Sequence, residues 1–168
     1  MAIAASLIPE FDHETATTRR FLEAVPEDRA GWKSHPKSFS LGELAVHMAN
    51  IPHWGALTLQ SADFDLIGPD GKPKISDPFT TIEALLAAFD ANSLAAREAL
   101  ESATDESLME PWSLKQNGAV IFTLPRVAVL RTMIFSHLIH HRGQLSVYLR
   151  LLDVPLPSAY GPSADTAS

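Results

Sequence analysis

Residues 125–152 read PRVAVLRTMIFSHLIHHRGQLSVYLRLL, and this stretch decides the fold. Taken at alternating spacings of three and four, it gives Val127, Leu130, Ile134, His137, His141, Gln144, Tyr148 and Leu151. That is the inward seam of an amphipathic helix. Pro125 suits the helix start, because its missing N–H is one of the donors a first turn leaves unpaired. The seam is apolar at both ends, while its middle carries two histidines and a glutamine. His137 and His141 lie four residues apart, so they project within about 40° of each other and about 6 Å apart along the axis. Two imidazoles so placed can reach one metal ion.

Working outward, a second helix begins at Ser40 in SLGELAVHMANIPHWGALTLQ. Ser40 and Glu43 form S-x-x-E, a capping box that satisfies two orphan backbone donors. Its seam reads Leu44, His47, Ile51, Trp54 and Thr58, again with a histidine on the buried line. A first helix spans roughly Ser6 to Val25 and ends at Pro26. A third starts at Thr80, with T-x-x-E through Glu83, and runs to about Ser102 in a stretch rich in Ala and Leu. The segment Ser61–Asp77 carries two prolines and two glycines and reads as a long connection. Asn117-Gly118, between WSLKQ and AVIFT, predicts a β-hairpin, because both central residues of a type I′ turn need φ > 0.

These segments make one domain over residues 1–168 of all-α class, a four-helix bundle with a small β-hairpin before the last helix. The connection lengths fit an up-down-down-up path without requiring it. Residues 152–168 form an irregular tail in which Leu156 and Tyr160 can pack on the bundle.

Composition narrows the function classes. The 168 residues carry 13 Lys+Arg against 20 Asp+Glu, a net charge of −7 that argues against a nucleic-acid partner. Apolar residues at 46% and charged residues at 20% mark a globular chain rather than a disordered one. Arg126 and Arg131 interrupt the longest apolar run, so no membrane span is expected. The first residues lack a basic n-region, so no signal peptide is expected either, and the expected location is cytoplasmic. Zero cysteines exclude disulfides, thiolate ligands and a cysteine nucleophile.

Three histidines from two helices therefore point inward. A three-histidine set leaves a fourth coordination position open, as catalytic metal sites do. Imidazoles suit zinc, nickel, copper or iron. The competing reading is a polar core cluster or a rim of hydrogen-bonded histidines; three on inward lines would each need a buried partner. His140, three residues after His137, competes with His141 for the inward place. His13, His35 and His53 read as rim or loop residues.

The strings HLIHHRGQLSVYLR and FSLGELAVHMANIPHW, the GWKSHPKSFSLGELAVH entry, the hairpin and the LPSAYGPSAD tail resemble the DinB/YfiT-like family of metal-dependent enzymes over nearly the whole chain. The resemblance implies an up-down-down-up four-helix bundle with a divalent-metal site, nickel or zinc, whose ligands fall on His47, His137 and His141. It also implies thiol-dependent transfer or isomerisation, in which a low-molecular-weight thiol becomes a metal-bound nucleophile, and a homodimer.

Trp54, Gln144 and Tyr148 are the candidate pocket and supporting residues. Gln144 can hydrogen-bond a ligand imidazole. Glu43, four before His47, can orient it or serve only the capping box. Arg142, about 100° off the His141 direction, reads as a structural ion pair, and Gly143 as a close-packing residue. No carboxylate pair of the H-E-x-x-H kind accompanies the histidines, which disfavours peptide hydrolysis. The expected function is a metal-dependent enzyme acting on a small molecule, most simply a thiol-linked transferase or isomerase, with a hydrolase less favoured. The alternative is a non-catalytic bundle that holds metal or a partner; it predicts a fourth protein ligand, such as His13 or His140.

Overall fold

A computed structural model of the chain describes residues 3–74 and 77–166. The expected connection's Ile75 and Ser76 and the tail's Ala167 and Ser168 lie outside the described residues. The chain is mostly helical. Three long helices, α1 (Ile3–Glu23), α2 (Leu41–Gln60) and α3 (Ile82–Glu101), are followed by a short α4 (Asp105–Met109). Then come α5 (Arg126–Val129), a π-helical segment (Leu130–Phe135) and α6 (Ser136–Leu151), which run end to end over 126–151. The hairpin strands are β2 (Pro111–Gln116) and β3 (Ala119–Pro125), with Asn117 at φ 50° and Gly118 at φ 80° in the turn. The Asn-Gly pair therefore does what its left-handed tolerance predicts.

Side-chain pairs fix the directions of the long helices. Arg19 meets Asp90 and Arg97 meets Asp12, so α1 and α3 run antiparallel. The Asn92 side chain donates to the Ala49 carbonyl, and the space beside Gly55 is filled by Ala96, so α2 and α3 run parallel. Gly55 also faces Ile134, while the Tyr148 hydroxyl donates to the Phe39 carbonyl, so 126–151 runs antiparallel to α2. Against α1 it runs parallel, with Arg131 on Glu10 and Arg142 on Glu14. Between them lies one apolar core, in which Leu7, Leu22, Leu44, Met48, Phe89 and Leu145 are fully buried. Burying each such side chain contributes about 1.5–3 kcal/mol.

Three features differ from expectation. The connection after α2 carries a strand, β1 (Asp63–Asp65), which pairs parallel with β2, so the hairpin becomes a three-stranded sheet of order β1-β2-β3. Two of its three residues are Asp, which disfavour strands, and Asp65 earns its place by its contacts. Its carboxylate accepts N–H bonds from Ile67, Asn117 and Gly118, tying β1 to the hairpin turn. The third helix is capped by Thr81 rather than Thr80: its hydroxyl accepts from the Ala84 N–H, and the Ile82 N–H is met by Glu27. A carboxylate from another segment thus replaces the box that Thr80 and Glu83 were expected to form. The last long helix is not α-helical throughout: the Ser136 N–H reaches back five residues to the Arg131 carbonyl. Such a π-segment inserts one residue and advances everything after it around the axis.

The tail 152–166 has neither helix nor strand. Leu156 packs on the core, and the Tyr160 hydroxyl reaches Glu14 and Arg142.

Candidate metal centre

Ser40 starts α2 as expected. Its hydroxyl accepts from the Glu43 N–H, and the Glu43 carboxylate accepts from the Ser40 N–H at 2.6 Å. Those bonds, with Lys33 nearby at 3.3 Å, hold the Glu43 carboxyl below its usual range. Glu43 is thus occupied by the cap. Two turns on, His47 leaves α2 toward α6, which presents His137 and His141 one turn apart.

The three imidazoles converge. Each offers a ring nitrogen, and the three nitrogens lie within 4.8 Å of one another. The Nε2 atoms of His47 and His137 are 3.1 Å apart. Two nitrogens bound to one ion at about 2.0–2.1 Å stand about 3.0–3.4 Å apart, so this spacing already matches a shared ion. Second bonds fix two of the rings. The His137 Nδ1–H donates to the Met133 carbonyl at 3.2 Å, inside the π-segment, and the His141 Nδ1–H donates to Gln144 Oε1 at 2.7 Å. Each bond leaves the Nε2 lone pair of its ring free, which is how ligating histidines are held.

Burial keeps the donors neutral. It pushes the His47 pKa down to about 4, helped by repulsion from His141 and His137. His137 and His141 are lowered too, first by burial. At neutral pH all three are unprotonated, so the donor set suits a divalent cation. Among the described residues no fourth His, Asp or Glu ligand atom joins the group. His140 is exposed, its ring set against that of His141. His13 is exposed and stacks on Tyr160, and His35 and His53 are exposed.

Around the histidines the wall is aromatic. The Phe39 ring lies 5.6 Å from that of His47 and 6.5 Å from that of His141, while Trp54 stacks on His137 at 5.9 Å. A cavity of about 630 Å³ adjoins His47, with Ser40, Glu43, Lys74 and Phe79 in its wall. A second, of about 230 Å³, adjoins His137 and is lined by apolar side chains of the helices and the sheet. Trp54 lines both.

Gln144 sits on the His141 imidazole, as its expected supporting role requires. Tyr148 lines neither cavity: its ring packs on Trp32 and its hydroxyl on the Phe39 carbonyl, so it supports the loop that carries Phe39. Arg142 is the expected structural ion pair, with Glu14 at 2.6 Å. Gly143 is not a close-packing residue, since an added Cβ there would meet nothing within 4 Å. That role belongs to Gly42, where a Cβ would come within 3.0 Å of Phe79. Sequence reading missed Phe39, Phe64 and Trp112, which come from loops and strands whose approach to the helices no spacing encodes.

No curated protein sequence matches the chain. Several solved structures match its fold, among them two DinB-like proteins. A DinB-like protein from Bacillus cereus superposes with a TM-score of 0.68 at 21% identity, covering 95% of this chain and 98% of that one. A DinB-like protein from Bacillus subtilis gives 0.70 at 21% identity, covering 92% and 97%. The sequence model of the DinB family matches residues 3–167, nearly the full length, and the chain belongs to the DinB family.

Proposed function

We propose that this protein is a metal-dependent enzyme whose His47, His137 and His141 hold one divalent ion, nickel or zinc. We further infer a thiol-dependent transfer or isomerisation on a small electrophilic molecule. The observation that carries the reading is the set of three neutral, converging imidazoles, joined by no fourth ligand among the described residues and flanked by two cavities. A structural site would be closed by a fourth side chain; three ligands leave room for a reactant. Bound there, the ion would acidify a coordinated thiol or water and polarise a carbonyl.

The chain's own residues set the conditions for that chemistry. Met133 and Gln144 fix the rings of His137 and His141, so their lone pairs keep one direction through a reaction cycle. Phe39 and Trp54 pack their rings against His47 and His137 and lend that side of the site an apolar wall. The larger cavity beside His47 carries Lys74 and Glu43 in its wall and suits a polar thiol. An up-down-down-up four-helix bundle belongs to the same reading, supported by the four pairwise helix directions above. So do a cytoplasmic location and a homodimer, for which exposed Val120 and Ile121 on β3 provide apolar surface.

The test is turnover by protein loaded with nickel or zinc, screened with low-molecular-weight thiols against electrophiles such as an unsaturated diacid and an aryl halide. The expected result is thiol-dependent consumption that disappears in His47→Ala. Metal that binds stoichiometrically but supports no turnover with any pair, and whose removal only lowers stability, would make the site structural.

A further inference from the structure

The two cavities beside the histidines differ in chemistry. The larger has Ser40, Glu43 and Lys74 in its wall. The smaller lies between the sheet and the helices, with Leu57, Phe64, Leu114 and Met133 around it. Among the described residues no polar atom is exposed on its wall, although Thr58 and His137 contribute to it. Their polar groups are engaged elsewhere. The Thr58 hydroxyl donates to the Trp54 carbonyl at 2.8 Å, the His137 Nδ1–H donates to the Met133 carbonyl, and the His137 Nε2 faces His47.

Space of this kind is uncommon in a folded chain. Interiors pack closely, with few voids larger than a water molecule, and an unfilled apolar void costs stability. Water gains nothing by entering, for want of hydrogen-bond partners. The volume of about 230 Å³ exceeds the roughly 150 Å³ at which an apolar cavity already holds a benzene ring. Its position supplies the second observation. His137 is both part of this wall and one of the three converging imidazoles, and Trp54, stacked on that ring, lines both cavities. A group seated there lies against His137.

We propose that this cavity seats the hydrocarbon part of the electrophile: one aryl ring without polar substituents, or an alkyl group of about six carbons. The inference rests on the reading of the histidine cluster as a reaction centre, for it sets that group against His137 with the reacting atom toward the three imidazoles. Polar and apolar ends of the reaction are then separated, with the thiol beside His47 and the hydrocarbon beneath the sheet. An aryl halide fits this description. An unsaturated diacid does not, because a carboxylate in the cavity would be buried without a partner.

The test needs no turnover. Toluene and phenol have nearly the same shape, and only phenol carries a polar group. Each is titrated into zinc-loaded protein while the Met133 methyl resonance, assigned with Met133→Leu, is followed by NMR. Toluene is expected to saturate, to shift that resonance, and to bind at least about tenfold more tightly than phenol. A second pair reaches from the ion into the cavity. Acetohydroxamate and phenylacetohydroxamate share one zinc-chelating head, and the aryl tail is expected to add at least about tenfold in affinity. Leu114→Trp, which fills the cavity, should abolish toluene binding and erase that gain; should it fail to fold, Leu57→Phe fills the same space from α2. No saturable toluene binding up to the solubility limit, equal affinity for toluene and phenol, or an aryl gain that survives in the filled variant would overturn the proposal. Zinc content measured on the same samples separates this failure from that of the histidine site, since a chain that holds its ion yet ignores the apolar probes loses only the subsite.

Discussion

His141 and Arg142 are neighbours on one helix, both are buried, and their surroundings are opposite in kind. Arg142 turns toward α1. Its guanidinium, 3% exposed, meets the Glu14 carboxylate at 2.6 Å, the Glu14 carbonyl, the Thr18 hydroxyl and the Tyr160 hydroxyl. Charge is balanced within the cluster, and its donors find acceptors. His141 turns toward α2, where it meets two more imidazoles and Phe39, while Trp54 packs on His47 and His137. No carboxylate balances that cluster among its ligand atoms, and burial holds its members neutral. The first arrangement is complete in itself and ties the tail and two helices together. The second is a set of lone pairs aimed at a common point, the arrangement a cation would complete. One polar cluster ties the structure together, and the other is a group that could hold a metal ion.

Substitution should separate the two. Arg142→Ala strands the Glu14 carboxylate in the core, and removing one partner of such a buried pair costs about 3–5 kcal/mol. Urea denaturation should report that loss, while the fraction that stays folded keeps its metal affinity. Loss of metal in a folded Arg142→Ala chain would merge the clusters into one. His47→Ala should do the reverse. Zinc affinity is expected to fall by at least about a hundredfold, for one of three ligands is gone, whereas the metal-free chain should lose less than about 1 kcal/mol.

Acid sharpens the contrast. The folded pKa of His47, about 4, lies below the roughly 6.5 of an unfolded histidine. Between those values the unfolded chain binds the extra proton, so stability rises with pH through that window and is lost as pH falls from about 6.5 toward 4. Urea midpoints of the metal-free protein should follow that slope, and His47→Gln should flatten it. A slope unchanged in His47→Gln would remove the neutral imidazole from the account.

The smallest effect is expected at Gln144. Its side-chain oxygen orients His141 from the exposed rim, so Gln144→Ala should weaken zinc binding about tenfold and leave stability within about 0.5 kcal/mol. An unchanged affinity would reduce that bond to a surface contact.

How much of this the sequence carried follows from which interactions are local. Helical periodicity marks His47, His137 and His141 because each sits on the apolar line of its own helix, a property of spacing alone. The Asn117-Gly118 turn and the Ser40–Glu43 cap are local in the same sense. The sheet's third strand was not legible, since Asp63, Phe64 and Asp65 become a strand only through the hairpin turn that Asp65 binds fifty residues away. Arg126 was silent for the same reason: it gathers the Thr58 and Ser61 carbonyls and pairs with Glu110 across three segments. The π-segment also escaped. It shifts the residues after it around the axis, and the Met133 carbonyl within it accepts from the His137 ring. Spacing thus finds residues that line one helix and misses those that join distant ones, so the three histidines and Trp54 were visible and Phe39, Phe64 and Trp112 were not.

The central claim is that the three imidazoles form one divalent-ion site. The most direct measurement is titration of zinc and of nickel into metal-free protein at neutral pH, against a competing chelator, for the wild type, His47→Ala and Arg142→Ala. The account predicts one ion per chain in the wild type and in the folded fraction of Arg142→Ala, with affinity collapsed in His47→Ala. Binding that is absent from the wild type, or unchanged in His47→Ala, would contradict it.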